Sequence, residues 1–142
     1  MLASQILKDK GAAVFTSGPN ETVEAAAALL HARRIGALVV VDGAEHVVGI
    51  VSERDIVRML AERGAAALSC PLSACMTKDV VFAEPSESVD VLMGRMTDRR
   101  LRHLPVCQEG RLLGIVSIGD LVKSKIAEVE AEASGLKAYI AL

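Results

Sequence analysis

A heptapeptide occurs twice in this chain, 65 positions apart: Gly49-Ile50-Val51-Ser52-Glu53-Arg54-Asp55 returns as Gly114-Ile115-Val116-Ser117-Ile118-Gly119-Asp120. Both copies end an apolar run and precede a segment with helical spacing. An internal repeat has to be recognised before local structure is assigned, because each copy is a structural unit that packs against another. The repeat therefore predicts two equivalent strand-to-helix turns, each carrying Ser-x-x-Asp.

The duplication extends upstream of the heptapeptide. Residues 19–24 align with 85–90 at an offset of 66, and Arg33-Arg34-Ile35 aligns with Arg99-Arg100-Leu101. The offset falls to 65 at the heptapeptide, so one residue is lost between residues 42–46 and 108–111. Both stretches contain glycine and read as turns, where a change of length is best tolerated.

The order of hydrophobic patterns is the same in both copies. Apolar residues at helical spacing come first, followed by two short apolar runs separated by a glycine turn, and then by a second helical pattern. A short extended piece precedes each copy, at residues 13–15 and 80–82, and Pro105 is predicted at the start of its strand. Continuous apolar runs indicate strands covered on both faces. The predicted boundaries are 12–66 for the first repeat, 75–126 for the second and 127–142 for a helical tail.

Composition excludes several classes of protein. The 142 residues suffice for one module of two units, and the join near Gly64 and Cys70-Pro71 is too short and apolar for a free linker, so the units should pack together. A net charge of −2 with one Tyr and no Trp gives no footprint for nucleic acid. No apolar run is long enough for a membrane span, and no signal peptide is recognised, which predicts a cytoplasmic protein. Three cysteines without matching histidines argue against a metal site.

Two readings of Ser-x-x-Asp remain open. A hydroxyl at the N-cap and an acid three residues later form a capping box, which would be purely structural. Alternatively, the carboxylate accepts hydrogen bonds from the two hydroxyls of a ribose, while the Ser hydroxyl and the helix-terminal N–H groups bind a phosphate. The recurring Gly in a buried strand favours close approach of some group there. No nucleophile–base or acid–base set accompanies the motif, which argues against catalysis.

Two further features are candidate functional elements. Arg102 and His103 enter the first strand of the second repeat, where Gly36 and Ala37 stand in the first, and they are candidate phosphate ligands. The tail spaces Ile126, Val129, Ala133, Leu136 and Ile140 three and four residues apart, which is a two-heptad seam. The seam packs either on its own module or on a second copy.

The chain resembles a tandem pair of CBS domains, most closely the small stand-alone bacterial CBS-pair proteins. The resemblance covers roughly residues 12 to 126 and rests on the doubled Gly-Ile-Val-Ser-x-x-Asp, on Ile35 to Asp42 and on Arg102 to Val106. It implies an α/β fold of two βαββα repeats packed by their sheets with pseudo-twofold symmetry, plus a C-terminal helix. It also implies adenosine ligands (AMP, ADP, ATP, NAD(H) or S-adenosylmethionine) and assembly into a homodimer or a dimer of dimers.

The resemblance assigns roles residue by residue. Asp55 and Asp120 would take ribose hydroxyls, and Ser52 and Ser117 would take phosphate. The residues that open the strands would line base and phosphate, and the extended segments before each repeat would close over the adenine. Apart from the resemblance, Arg54 stands in the first turn where the second has Gly119, and it could supply a cation there. The predicted nucleotide-binding set is Thr16, Gly36, Ala37, Leu38, Ser52, Arg54, Asp55, Phe82, Arg102, His103, Leu104, Pro105, Ser117 and Asp120.

Three functions are compatible with these patterns. The leading hypothesis is a non-catalytic sensor that binds an adenine nucleotide, with no catalytic cofactor, no metal, no nucleic acid and no membrane partner. The first alternative is an interaction module whose motifs are structural and whose clefts are empty. The second is an enzyme of nucleotide or redox metabolism.

Overall fold

The computed structural model describes residues 1–11 and 14–141, so the predicted boundary at Ala12, the first residue of the extended piece at Ala13, and Leu142 lie outside the described residues. The described elements confirm a mixed α/β fold with two similar repeats and a C-terminal helix. In chain order they are α1 (Ala3–Lys10), β1 (Thr16–Ser17), α2 (Val23–Arg33), β2 (Ala37–Val41), β3 (Val47–Ser52), α3 (Glu53–Arg63), α4 (Val89–Arg99), β4 (His103–Gln108), β5 (Arg111–Ser117) and α5 (Ile118–Ala141).

The first helix of each repeat begins and ends in the same way. Thr22 and Ser88 cap α2 and α4 by accepting a hydrogen bond from the backbone N–H three residues on. Each helix ends at an arginine in the left-handed conformation, Arg34 with φ 53° and Arg100 with φ 54°. The apolar face of each helix is buried at equivalent positions: Val23, Ala26 and Leu30 in α2, and Val89, Leu92 and Met96 in α4.

The two sheets share a register but differ at one position. In the first repeat β1 pairs parallel to β2, with Thr16 beside Val39 and Ser17 beside Val40, and β3 runs antiparallel to β2. In the second repeat β4 and β5 are antiparallel, and the β1 counterpart is a single bridge, Ala83 beside Val106. Extending that bridge by one residue needs an N–H at position 105, which proline lacks. The missing N–H of Pro105 thus limits the parallel pairing of the second repeat. The prediction that Pro105 lies at the start of its strand was wrong, because it is the third residue of β4.

Each repeat is completed by the segment that precedes the other repeat in the chain. Residues Met1–Lys10 pack on the second repeat: Ala3 N–H donates to Glu87 C=O at 2.9 Å, and Val89 N–H donates to Met1 C=O at 2.9 Å. Equivalent bonds join Leu72 to Glu21 at 2.8 Å and Val23 to Cys70 at 2.9 Å in the first repeat. Two compact units result, Val14–Val81 and Met1–Ala13 with Phe82–Leu142. We call Met1–Lys10 the amino-terminal segment and Cys70–Thr77 the inter-repeat segment.

The second helix of the second repeat and the tail are one element. Helix α5 runs unbroken from Ile118 to Ala141, 24 residues. Its first turns are anchored by Leu121 and Ser124, both buried, whereas every described residue from 129 to 141 is exposed. The tail therefore does not lie on its own repeat. Among the described residues, every helix is too short or too polar to cross a lipid bilayer.

Candidate functional site

The Ser-x-x-Asp turn of the first repeat is a closed capping box. Asp55 Oδ2 accepts hydrogen bonds from Ser52 N–H at 2.9 Å and from Ser52 Oγ at 3.1 Å, and Asp55 N–H points to Ser52 Oγ at 3.4 Å. The other carboxylate oxygen, Oδ1, pairs with Arg58 at 3.0 Å. Arg58 also donates to the Cys75 carbonyl at 3.1 Å, so it ties the Asp55 carboxylate to the inter-repeat segment. Asp55 is 6% exposed, a buried carboxylate with a complete set of partners.

The second repeat builds the same turn with a different cation. Asp120 Oδ2 accepts from Ser117 N–H at 2.9 Å, and Asp120 N–H donates to Ser117 Oγ at 3.1 Å. Lys10 of the amino-terminal segment places Nζ 2.7 Å from Asp120 Oδ2 and 3.0 Å from the Ile115 carbonyl. Burial alone would raise the pKa of Asp120, but the bonds from Lys10 and Ser117 hold it below its usual value. The structural reading of the motif is thus realised in both repeats.

At the start of α3 and of α5, one backbone N–H already donates to a carbonyl at the opening of the first core strand. Glu53 N–H donates to the Gly36 carbonyl at 3.0 Å, and Ile118 N–H donates to the Arg102 carbonyl at 2.8 Å. These bonds hold the residue that opens the first core strand directly against the start of the helix. The predicted strand-opening residues and the Ser-x-x-Asp turns are therefore brought together in each repeat, although fewer helix N–H groups remain for an anion than the motif suggested.

The recurring glycine of the motif has a packing role. A Cβ at Gly49 would lie 2.6 Å from Met76 Sδ and 3.1 Å from the Thr77 carbonyl, and one at Gly114 would lie 2.6 Å from Leu7 Cδ2. The group that approaches each strand is thus a side chain of the amino-terminal or inter-repeat segment. The glycine alone therefore gives no support to the ligand reading, which rests on the Ser, the Asp and the cations around them.

The remaining predicted residues divide into buried and accessible ones. Leu38 and Leu104 are fully buried, so their side chains belong to the core and only their backbone could meet a ligand. Ala37 and Pro105 are buried as well. Arg54, Arg102, Thr16 and Phe82 are exposed, and His103 pairs in register with Ser117, which places it beside the second turn.

The extended segments contribute less uniformly. Phe82 is 40% exposed and its carbonyl accepts from Arg95 at 3.0 Å. Phe15 stacks under the Arg33 guanidinium, 4.8 Å from the ring centre. Thr16 lines an open groove of about 560 Å³ with Asp42 and Gly43, at the opposite end of β2 from Ser52.

Sequence reasoning missed two cations. Arg58 lies three residues after Asp55 on the same helix, a spacing that places the two side chains together and could have been read from the sequence. Lys10 lies 110 residues before Asp120, in a segment with no recognised motif. Only the tertiary fold brings it to the turn.

Comparisons with known proteins give the family. The family model described as CBS domain matches residues 12–62 and 72–126. A CBS domain-containing protein of Arabidopsis thaliana, CBSX3, mitochondrial, is 34% identical over 145 residues, covering 96% of this chain and 70% of the relative. The crystal structure of the CBS-domain containing protein ATU1752 from Agrobacterium tumefaciens is 46% identical, with a TM-score of 0.85 over 87% of this chain and 92% of that one.

A third comparison includes ligands. The CBS domain pair of protein MJ0100, solved in complex with 5-methylthioadenosine and S-adenosyl-L-methionine, is 26% identical to this chain. Its TM-score is 0.81, over 90% of this chain and 98% of the other. The family model matches the chain twice, and the relative and the solved structures agree with it. The chain therefore belongs to the CBS-domain family and carries two consecutive CBS domains.

Proposed function

We propose that this protein is a non-catalytic sensor that binds an adenine nucleotide, of the AMP, ADP, ATP or NAD(H) type, at its Ser-x-x-Asp turns. The observation that carries the proposal is that each turn is hydrogen-bonded to the opening of a core strand. A structural relative with the same CBS pair was solved with adenosine compounds bound. A carboxylate beside a strand opening can receive a ribose diol, and the adjoining cations can receive a phosphate.

The cations support unequal sites. Lys10 is bound to Asp120 as Arg58 is bound to Asp55, so the two turns differ in their other basic side chains. These are Arg102 and His103 near the second turn, and the exposed Arg54 near the first. A hydrogen bond to a charged group contributes about 1.5–3 kcal/mol, so one such contact separates two sites roughly tenfold or more. We therefore assign the tighter site for a nucleoside monophosphate to the second repeat.

Thermal-shift and calorimetric titrations with AMP, ATP, NADH, S-adenosylmethionine and adenosine test the proposal. A nucleotide at about 100 times its Kd should stabilise the folded chain by roughly 2.7 kcal/mol. Absence of any shift with every compound at millimolar concentration would refute nucleotide sensing.

Variants then locate the site. Asp120→Asn keeps a side-chain oxygen for the Ser117 N–H but removes the charge, so it should abolish the tighter binding event while leaving the fold intact. Asp55→Asn is the matched control and should affect a weaker event. Arg102→Ala should weaken AMP more than adenosine, since only AMP carries phosphate. Loss of the tight phase in Asp55→Asn with retention in Asp120→Asn would reverse the assignment of sites.

Lack of catalysis is also part of the proposal. Burial raises the pKa of the Cys75 thiol and of the Cys107 thiol, which disfavours the reactive thiolate at these two residues. We further propose a cytoplasmic location, since three free cysteines suit a reducing compartment. Incubation with each nucleotide followed by chromatography should show no turnover.

One observation favours a second candidate function, an interaction module without ligand. Both capping boxes are internally satisfied, and both carboxylates already have a cation. In that case the motif stabilises the start of α3 and α5, and the protein acts through its surfaces, as a homodimer in either reading. The titrations above separate the two functions, because only the sensor gives ligand-linked stability.

A further inference from the structure

The distal half of α5 exposes an apolar stripe that its own repeat does not cover. The exposed fractions are 53% for Ile126, 50% for Val129, 61% for Leu136 and 74% for Ile140. From residue 129 to 141 the helix extends about 20 Å at 1.5 Å per residue. An isolated helix of this length is marginal in water, and its apolar stripe needs a partner to be stable.

The stripe has the geometry of a coiled-coil seam. Ile126, Ala133 and Ile140 occupy the a positions of a heptad, and Val129 and Leu136 occupy the d positions. Gly135 falls at a c position and Ser134 at a b position, both on the outer side. Gly135, the residue of this segment least favourable for a helix, is thus kept out of the seam.

The charges beside the seam identify its partner. In a parallel pair each g residue faces the e residue five positions later in the other helix. In this segment the g residue Lys125 faces the partner's Glu130, and the g residue Glu132 faces the partner's Lys137. Both facing pairs are therefore of opposite sign. Lys125 also pairs with Asp90 at 2.9 Å, a surface contact that is weak enough to be shared.

An antiparallel arrangement fits less well. The antiparallel register that stacks Ile126 on the partner's Leu136 and Ala133 on the partner's Val129 buries most of the seam. In that register Glu130 faces the partner's Glu130, and Glu132 faces the partner's Glu132. Like charges facing each other destabilise a helix pair.

We propose that residues 125–140 of α5 form a parallel, in-register two-stranded coiled coil with the same segment of a second copy of this chain. The inference deepens the homodimer of the proposed function and does not depend on which nucleotide is bound. It specifies the surface, the direction of the helices and the residues that select this pairing.

Charge reversal on the full-length chain tests the direction. Glu132→Lys should raise the dimer Kd roughly tenfold, since two attractive pairs per dimer become repulsive. Lys137→Glu should do the same, and an equimolar mixture of the two variants, or the double variant, should restore the wild-type Kd. Leu136→Glu should raise the Kd about 100-fold or more, whereas Ala131→Glu at the outer f position should leave it unchanged. Sedimentation equilibrium measures each Kd, and circular dichroism confirms that each variant is folded.

Three outcomes overturn the proposal. A dimer whose Kd is insensitive to Leu136→Glu is held by another surface, and the homodimer then survives without this seam. Sensitivity to Leu136→Glu combined with indifference to Glu132→Lys means an antiparallel pair. A wild-type chain that stays monomeric at high micromolar concentration removes both the seam and the homodimer, while nucleotide titration of the same sample still tests the sensor function independently.

Discussion

Substituting the two motif glycines tests how the amino-terminal and inter-repeat segments are docked. In Gly114→Ala the new methyl carbon would lie 2.6 Å from Leu7 Cδ2, about 1 Å inside an ordinary carbon contact. All three of its close neighbours are atoms of the Leu7 side chain, which can rotate away. Overpacking of this kind costs about 1–3 kcal/mol, and we expect Gly114→Ala to fall in the lower half of that range.

Gly49→Ala should be more damaging. Its methyl carbon would meet Met76 Sδ at 2.6 Å and also the Thr77 carbonyl at 3.1 Å, which is backbone. Thr77 is held by reciprocal bonds with Ile50, at 2.9 and 3.0 Å, and cannot move without breaking them. We expect a loss of about 2–3 kcal/mol, in the upper half of the overpacking range.

A double-mutant cycle in urea isolates the contact. Leu7→Ala removes the clash, so Gly114→Ala in the Leu7→Ala background should be nearly neutral, giving an interaction energy of about 1–2 kcal/mol. Leu7→Ala with Gly49→Ala is the control and should be additive, since Gly49 meets Met76 and not Leu7. If Gly114→Ala costs the same with or without Leu7, the amino-terminal segment is not docked on β5 in solution, and the argument fails.

Other predictions concern charge and assembly. The Arg95 hydrogen bond lowers the pKa of Glu87, and Lys10 helps to lower that of Asp120, so both carboxylates stabilise the fold above their unfolded pKa, about 4. That stability should be lost as the pH falls through the lower folded values. Urea titrations from pH 7 to pH 3 should show this fall in the free energy of unfolding. Arg95→Met should be less stable than the wild type at pH 7 and should lose less stability between pH 7 and pH 3. An unchanged pH dependence of the free energy of unfolding in Arg95→Met would contradict this. Light scattering at micromolar concentration should give twice the 15.0 kDa of one chain, or a multiple of that dimer, and a clean monomer would be contrary to the proposal. Deleting residues 127–142 should raise the dissociation constant, and an unchanged constant would show that the tail takes no part.

The repeat and its internal order were predictable because they depend on local patterns. Apolar spacing located α2 and α4 on their buried faces, and the paired apolar runs located the strands. The Ser-x-x-Asp turns were predictable as well, since a capping box is a contact between residues three apart. Whether these turns bind a nucleotide remains a prediction.

Long-range contacts were not predictable from the same patterns. Nothing local in residues 1–10 indicates that Leu7 covers Gly114 or that Lys10 reaches Asp120, because both contacts join positions more than 100 residues apart. The place of Pro105 inside β4 was misjudged for a related reason. Its missing N–H faces the short parallel bridge at Ala83, and the partner on that side is visible only in the folded sheet.

The docking of the amino-terminal segment also sets an order of events during synthesis. One compact unit, Val14–Val81, is continuous in sequence, whereas the other is assembled from two stretches that flank it. On a ribosome the nested unit can therefore fold as soon as it emerges, while Leu7 has no Gly114 to cover until β5 has been made. We predict that protease pulses on stalled chains find residues 14–81 protected first and the amino-terminal helix last. Early protection of residues 1–10 would contradict that order.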